Sequence, residues 1–294
     1  MIDLLLPTIS QGLLWSILAL GVYITFRVLD LADLTVEGSF PLGASVAVTL
    51  LVKDVNPVTA ILAAALAGGI SGVVTGLLHT KLKIPALLAG ILTMIALYSV
   101  NLRIMGKANI SLLGKETAFT ALESALGVAY SQAVLLVGIL SCVVFSVLMY
   151  WFFGTEIGAA IRATGYNPQM IRAQGVDTNV MLLIGLFFSN ALVAVSGALV
   201  AQSNGFADVG MGVGTIVIGL ASVIIGEVLF GTRSFKNSLI SVILGSIVYR
   251  LVIAIVLQMG MPPNDLKLFT AVLVAIALSL PVVKGKFQSR KADL

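Results

Sequence analysis

What this chain lacks most is charge. Only 10% of its 294 residues are Asp, Glu, Lys or Arg, and 59% are hydrophobic, whereas a soluble domain is charged at roughly a quarter of its positions. A soluble fold cannot hide that much apolar surface, so a bilayer must serve as the solvent. Cysteine is almost absent too. Cys142 stands alone inside an apolar run, which excludes an internal disulfide and a thiolate metal cluster and leaves a small core residue. His79 is the sole histidine, so no histidine metal cluster and no credible Ser-His-Asp set can be assembled, and no His-Glu-x-x-His occurs.

Nucleotide chemistry is missing as well. A phosphate-binding loop needs Gly-Lys followed by Ser or Thr, and Gly106-Lys107, Gly114-Lys115 and Gly285-Lys286 each fail at that position. The acids lie near the ends of apolar segments, which argues against an intramembrane acid pair doing catalysis. The net charge of +4 is no sign of nucleic-acid affinity, because the cations gather where membrane topology needs them. The N-terminus lacks the basic region and cleavage site of a signal peptide and is expected to remain as a membrane helix.

What is there, in abundance, is apolar runs about 20 residues long, the length that crosses hydrocarbon as a helix. Spans are expected near Leu4–Phe26, Val58–Leu78, Ile84–Ile104, Ala133–Phe153, Met181–Gln202, Gly214–Phe230, Ser238–Leu257 and Leu268–Val283. A ninth segment, Gly38–Val52, is short and holds Pro41 and Gly43; it either crosses as a broken helix or dips in and is completed by Asp33–Glu37. Counting it as a crossing gives an all-α polytopic membrane protein of nine spans in a single domain, residues 1–294. The long connector Gly106–Ser131 mixes charged and apolar residues and reads as an interfacial helix, lying in the headgroups or serving as a landing for a partner.

One connector differs from the rest. GTEIGAAIRATGYNPQMIRAQGV, Gly154–Val176, carries Glu156, Arg162 and Arg172 around Gly165, Asn167 and Pro168. Pro168 keeps Asn167 extended and Gly165 can end a helix, so two short helices around a turn are expected. Two readings stand: a solvated loop, or an element gripped by a soluble partner. With this loop placed in the cytoplasm, alternation puts eleven of the 17 Lys and Arg inside, five outside and Arg250 within a span, as the positive-inside rule asks. The N-terminus then lies outside and the C-terminus inside.

Packing and polar signals complete the reading. Ala64, Gly68, Gly72 and Gly76 recur every four residues, a stripe that lets helices approach closely within one subunit or along a dimer seam. Gly38, Ser39 and Phe40 of the interrupted segment, with Thr93 and Asn190 in other spans, are candidates to line a transport path; hydrogen bonds that merely tie helices together are the alternative. Glu227 is expected to pair with Arg233 or a neighbouring helix, and Arg250 to snorkel or pair across helices.

These residues match a known pattern. Thr155, Gly158, Ile161, Arg162, Ala163, Gly165, Asn167, Gly175 and Val176 fill a motif that resembles the cytoplasmic coupling loop of bacterial ABC importer permeases of the branched-chain amino acid/ribose-type family. Asp33, Leu34, Thr35, Val36, Gly38 and Ser39 look like that family's Asp-Leu-Ser/Thr-Val-x-Gly-Ser turn, and KLKIP and the late glycine-rich hairpin fit too. Ile171 stands where the family often has Ala, and Glu37, Glu227 and Thr232 depart from its small or variable positions. The resemblance implies a non-catalytic permease subunit in the bacterial plasma membrane, importing a small organic nutrient. Its partners would be cytoplasmic ATPases holding ATP and Mg, an extracellular substrate-binding lipoprotein, a second permease copy and membrane lipid, with no cofactor on this chain. Glu156, Gly158, Ala159, Arg162, Gly165, Asn167 and Gly175, within 154–178, would couple to the ATPase. Within the family the sequence most resembles a Gram-positive branch associated with aromatic amino acids. The rival is an ion-driven secondary transporter, which calls for midplane acids and two matching interrupted helices.

Overall fold

The computed structural model describes residues 2–260 together with 265, 268–272, 274, 275 and 279. Nearly all of this is helix. In chain order the helices are α1 (Ile2–Tyr23, continued by a π-turn at Ile24–Val28), α2 (Val36–Val52), α3 (Pro57–Thr80), α4 (Ala86–Met105), α5 (Ala118–Leu126), α6 (Tyr130–Gly154), α7 (Glu156–Tyr166), α8 (Pro168–Ala173), α9 (Thr178–Asn204), α10 (Thr215–Phe230) and α11 (Phe235–Gln258). Among the described residues seven helices are long and apolar enough to cross a membrane, and α2 is a shorter apolar helix of 17 residues. Half of the expected span Leu268–Val283 lies outside the described residues.

The two ends of the bundle are marked by cross-chain contacts. At one end Lys115 Nζ reaches Asp54 Oδ1 at 2.8 Å, Tyr130 donates to the Ser203 carbonyl at 3.0 Å, and strands β1 (Asn109–Ser111) and β2 (Phe206–Asp208) pair antiparallel. The connector expected to form an interfacial helix contains α5, with an N-cap at Thr117 accepting from the Thr120 N–H. At the opposite end sit α7 and α8, Arg27 and Glu227. Between Arg27 and Asp54 the chain passes from one end of the bundle to the other along the irregular Leu29–Thr35 and α2. Seventeen helical residues reach only about 26 Å, and the irregular residues supply the rest of the path. Asp30 turns the chain there with φ of 53°.

The core lies around α9, which packs on α1, α2 and α3. Small residues make that possible. A Cβ added at Gly68 or Gly72 of α3 would overlap the Asn190 or Leu186 carbonyl, and one at Gly43 of α2 the Ala194 carbonyl. The stripe foreseen in α3 is thus an intramolecular seam against α9, where backbones meet directly. Gly226 and Gly245 do the same between α10 and α11. Cys142 is buried beside Ser16, as a small core residue should be.

A second interruption was not foreseen. After Gly205 (φ 76°) the chain forms β2 and a 3-10 turn at Val209–Gly212, and reaches α10 through Gly214 (φ 85°). Gly212 lies against the Glu37 carbonyl and Pro41 of α2. The stretch therefore folds back along the start of α2 instead of staying at the bundle's end.

Candidate functional site

Two places carry the polar chemistry, one inside the bundle and one beyond its end. The inner one surrounds the start of α2. Asp33 is buried, and its carboxylate accepts from the Thr35 N–H at 2.9 Å and from Asn190 Nδ2 at 2.8 Å. Asn190 in turn accepts from Ser39 Oγ at 2.7 Å. A second chain of hydroxyls runs Thr35, Thr75, Thr93, with Oγ1 separations of 2.7 and 2.8 Å. These bonds join the irregular stretch and α2 to α3, α4 and α9. In low dielectric an unpaired group would cost about 1–3 kcal/mol or more, so a crossing with exposed backbone holds only if its freed groups are satisfied this way.

Of the residues singled out as pathway candidates, Ser39, Thr93 and Asn190 therefore come together, and all are buried. Gly38 faces Met94 and Leu97 of α4, with Asn101 Nδ2 donating to its carbonyl at 3.3 Å. Phe40 is buried with its ring centroid 5.0 Å from that of Trp15. None of them faces open space within the single chain. The helix α2 starts at Val36 with Thr35 as its N-cap, and Asp33 holds the turn ahead of it by accepting from the Thr35 N–H. Glu37 holds the second interruption: the Gly214 N–H donates to its Oε1 at 3.0 Å.

The outer place is the polar connector, folded as α7 and α8. Thr155 caps α7 through the Gly158 N–H, and Asn167 ends α7 and caps α8 by accepting from the Met170 N–H at 3.0 Å. The two-helix expectation holds, with one correction. Gly165 does not terminate α7, which runs to Tyr166. It is glycine because a Cβ there would overlap the Val28 carbonyl at the end of α1. Gly158 is likewise turned inward, against Phe152 and Phe153 of α6. Gly175 (φ 85°) closes the element in open space. Glu156, Ala159 and Asn167 are exposed, and Arg162 lies with its guanidinium carbon 5.4 Å from the Phe235 ring centroid. Apolar side chains stand outward as well: Tyr166 is 93% exposed, and Ile157 and Met170 about half.

The membrane-end charges are met from other helices, one of the two alternatives expected for each. Glu227 pairs with Arg27 at the end of α1, whose Nε donates at 2.8 Å, and not with Arg233. Two hundred residues of sequence separate the pair, and no local spacing could have announced it. Arg233 is exposed with no ion pair among the described residues. Arg250 sits with its guanidinium carbon 4.1 Å from the Trp15 ring centroid, a cation–π contact between α11 and α1. Among the described residues no cluster of His, Cys, Asp or Glu could hold a metal ion.

The described residues form a bundle of seven membrane-length helices with a structured elbow beyond one end. Residues 4–278 match the family model described as the branched-chain amino acid transport system permease component, and the chain belongs to that family. It is 41% identical to a tyrosine transport system permease protein of Clostridioides difficile, over 94% of this chain and 90% of that one. It is 34% identical to an uncharacterised protein of Rickettsia prowazekii, over 94% and 97% respectively. A metal-chelate type ABC transporter solved in an inward-facing conformation shares the fold, with a TM-score of 0.50 at 13% identity, covering 96% of this chain and 85% of that one. The chain is thus a multi-pass membrane permease component with an ABC-transporter fold.

Proposed function

We propose that this chain is the permease subunit of an ATP-driven importer that carries an amino acid, an aromatic one first, across the bacterial plasma membrane. The elbow is the observation that carries this reading. It is locked to its own bundle on one side and bare on the other. Gly158 ties α7 to the end of α6, and Gly165 ties it to the π-turn of α1. Ile161 and Ile171 are buried beneath it, while Tyr166, Ile157 and Met170 face outward. Apolar side chains held in water by a rigid support are a docking surface in want of a partner. A cytoplasmic ATPase fits, because its closure would push on α7 and so on α1 and α6 together. Such a push moves the bundle only if the ATPase contacts the two conformations differently.

The coupling residues then divide by role. Glu156, Ala159, Tyr166 and Met170 meet the motor; Gly158, Gly165 and Asn167 shape and anchor the elbow. The α2 network of Asp33, Ser39, Thr93 and Asn190 acts as a tie holding an interrupted crossing beside the path. The elbow faces the cytoplasm, the N-terminus the outside and the C-terminus the cytoplasm, in line with the excess of cations at the elbow's end. A second permease copy and an extracellular binding protein complete the assembly. The relative that transports tyrosine supports the substrate class.

One observation favours the ion-driven rival: the second interruption, met by the carboxylate of Glu37. Against it, Asp33 and Glu37 are already engaged by internal donors. The deciding experiment is uptake into proteoliposomes holding the permease, its genomically adjacent ATPase and binding protein. ATP-dependent accumulation of labelled tyrosine, in competition with phenylalanine and not with ribose, is expected. Uptake that persists without the ATPase and collapses with a proton or sodium ionophore would end this reading.

A further inference from the structure

Beside the elbow, on the bundle itself, lies a cavity of about 670 Å³ lined by the last turn of α6, the start of α7 and the start of α11. Its charged lining is Arg162 and Lys236, and among the described residues no carboxylate lines it. Neither cation has an ion-pair partner among the described residues, and Arg233 stands three residues before Lys236 without one. Among the described residues the acids of this end do not line it: Glu227 is taken by Arg27, and Asp30, Glu156 and Asp177 are absent from its wall. The rest of the wall points to what could enter. Tyr150 and Trp151, 55% and 68% exposed on α6, line the cavity at the point where a membrane-crossing helix ends. Amphipathic rings in that position sit at the level of lipid headgroups.

We infer that this cavity binds the phosphate of an anionic phospholipid headgroup from the leaflet on the elbow's side. Several features converge on that chemistry. Arg162 is aimed back over Phe235 and not away from the bundle, so its charge is presented to the cavity. The N-termini of α7 and α11 also open there, with Thr155 and Ser234 as caps, and add partial positive charge. The aromatic side belongs to the last turn of α6, a helix long and apolar enough to cross a membrane, so acyl chains lying along α6 would remain in hydrocarbon while the headgroup enters. A soluble anion would meet the same cations but would gain nothing from α6. The lipid would bridge α6, α7 and α11 and so brace the elbow against the bundle. The site itself rests only on the geometry of this end; which leaflet supplies the lipid rests on the orientation proposed above.

The test is native mass spectrometry of the full-length permease, released from detergent after incubation with phosphatidylglycerol, with phosphatidylcholine of the same acyl chains, or with inorganic phosphate. Wild type should retain phosphatidylglycerol in preference to phosphatidylcholine, and inorganic phosphate should not be retained. Since each cation near a headgroup contributes about fivefold in affinity, Lys236→Gln should weaken retention about fivefold and Lys236→Gln with Arg162→Gln about 25-fold. Arg162→Lys should keep most of it. Lys236 is exposed at the helix surface, so the single variant reports even where the double variant does not fold. Equal retention of the two lipids would overturn the proposal. So would Lys236→Gln binding as wild type, or phosphate held without its acyl chains. Transport need not work for any of these arms, so failure of the importer reading and failure of the lipid site are told apart.

Discussion

The buried start of α2 and the elbow of α7 and α8 use the same residue types for different ends. Both hold glycines, an asparagine and capping side chains at a bend in the chain. Around α2 every one of these is turned inward. Gly43 meets the Ala194 backbone, Asn190 is shared between Asp33 and Ser39, and Thr35 begins a relay of hydroxyls. In the elbow the residues sort by face: Gly158 and Gly165 touch the bundle, while Ala159, Asn167 and Tyr166 do not. A bend inside hydrocarbon must satisfy itself completely, whereas a bend in water needs only an anchor and can leave its other face for a partner. The comparison therefore predicts that substitutions around α2 damage the fold, and that substitutions on the outer face of the elbow damage only the coupling.

The largest effect belongs to the α2–α9 contact. In Gly43→Leu the side chain would have to displace the Ala194 backbone, in an interior too closely packed to yield. The expected outcome is loss of the monodisperse species on size-exclusion chromatography in detergent. A normally folded Gly43→Leu protein would show that α2 is free to move away from α9, and the comparison would lose its first half.

A smaller but sharper effect is expected at Asn190. Asn190→Leu removes the donor to Asp33 and the acceptor from Ser39. A buried group that loses a partner costs about 1–3 kcal/mol, and a carboxylate more, so destabilisation by about 2 kcal/mol or more follows, although Asp33 keeps the Thr35 N–H. A drop of several degrees in detergent melting temperature checks it. The double variant Asn190→Leu with Asp33→Asn should recover part of the loss, because the carboxylate left without its donor is gone. No recovery would mean that Asp33 is not the group Asn190 serves.

Much of this division could be read in the sequence, and the rest fails for identifiable reasons. The elbow is legible because polar residues between long apolar runs can lie only in water, and Pro168 and Asn167 mark its turn. The seam of Gly68, Gly72 and Gly76 is legible because a period of four keeps one face of a helix. Gly165 misleads because helix termination and close backbone approach both call for glycine, and sequence does not say which operates. The stretch from Gly205 to Gly214 reads as a plain connector; only its return to Glu37, far away in the chain, makes it an interruption. The Arg27–Glu227 pair was out of reach for the same reason, and Arg233, six residues from Glu227, was the nearer decoy. Thr93 and Asn190 were recognisable as polar groups at depth, but the hydroxyl relay that occupies Thr93 exists only once α3 and α4 are side by side.

The smallest effect on the fold, and the most telling one for function, is expected at Tyr166. Its side chain is 93% exposed at the tip of the elbow, and surface substitutions away from caps and cores leave stability nearly unchanged. Tyr166→Glu should therefore purify and melt as wild type does. A charge on an apolar docking knob must, however, be desolvated for the partner to bind. Co-purification of the ATPase and substrate-stimulated hydrolysis should both fall by an order of magnitude or more. Gly158 is the wrong position for this experiment, because a bulky residue there would strike Phe152 and Phe153 and fail through the fold. If Tyr166→Glu leaves both the assembly and the stimulated hydrolysis intact, the outer face of the elbow is ordinary solvated surface, and the contrast between the two bends reduces to a difference in burial alone.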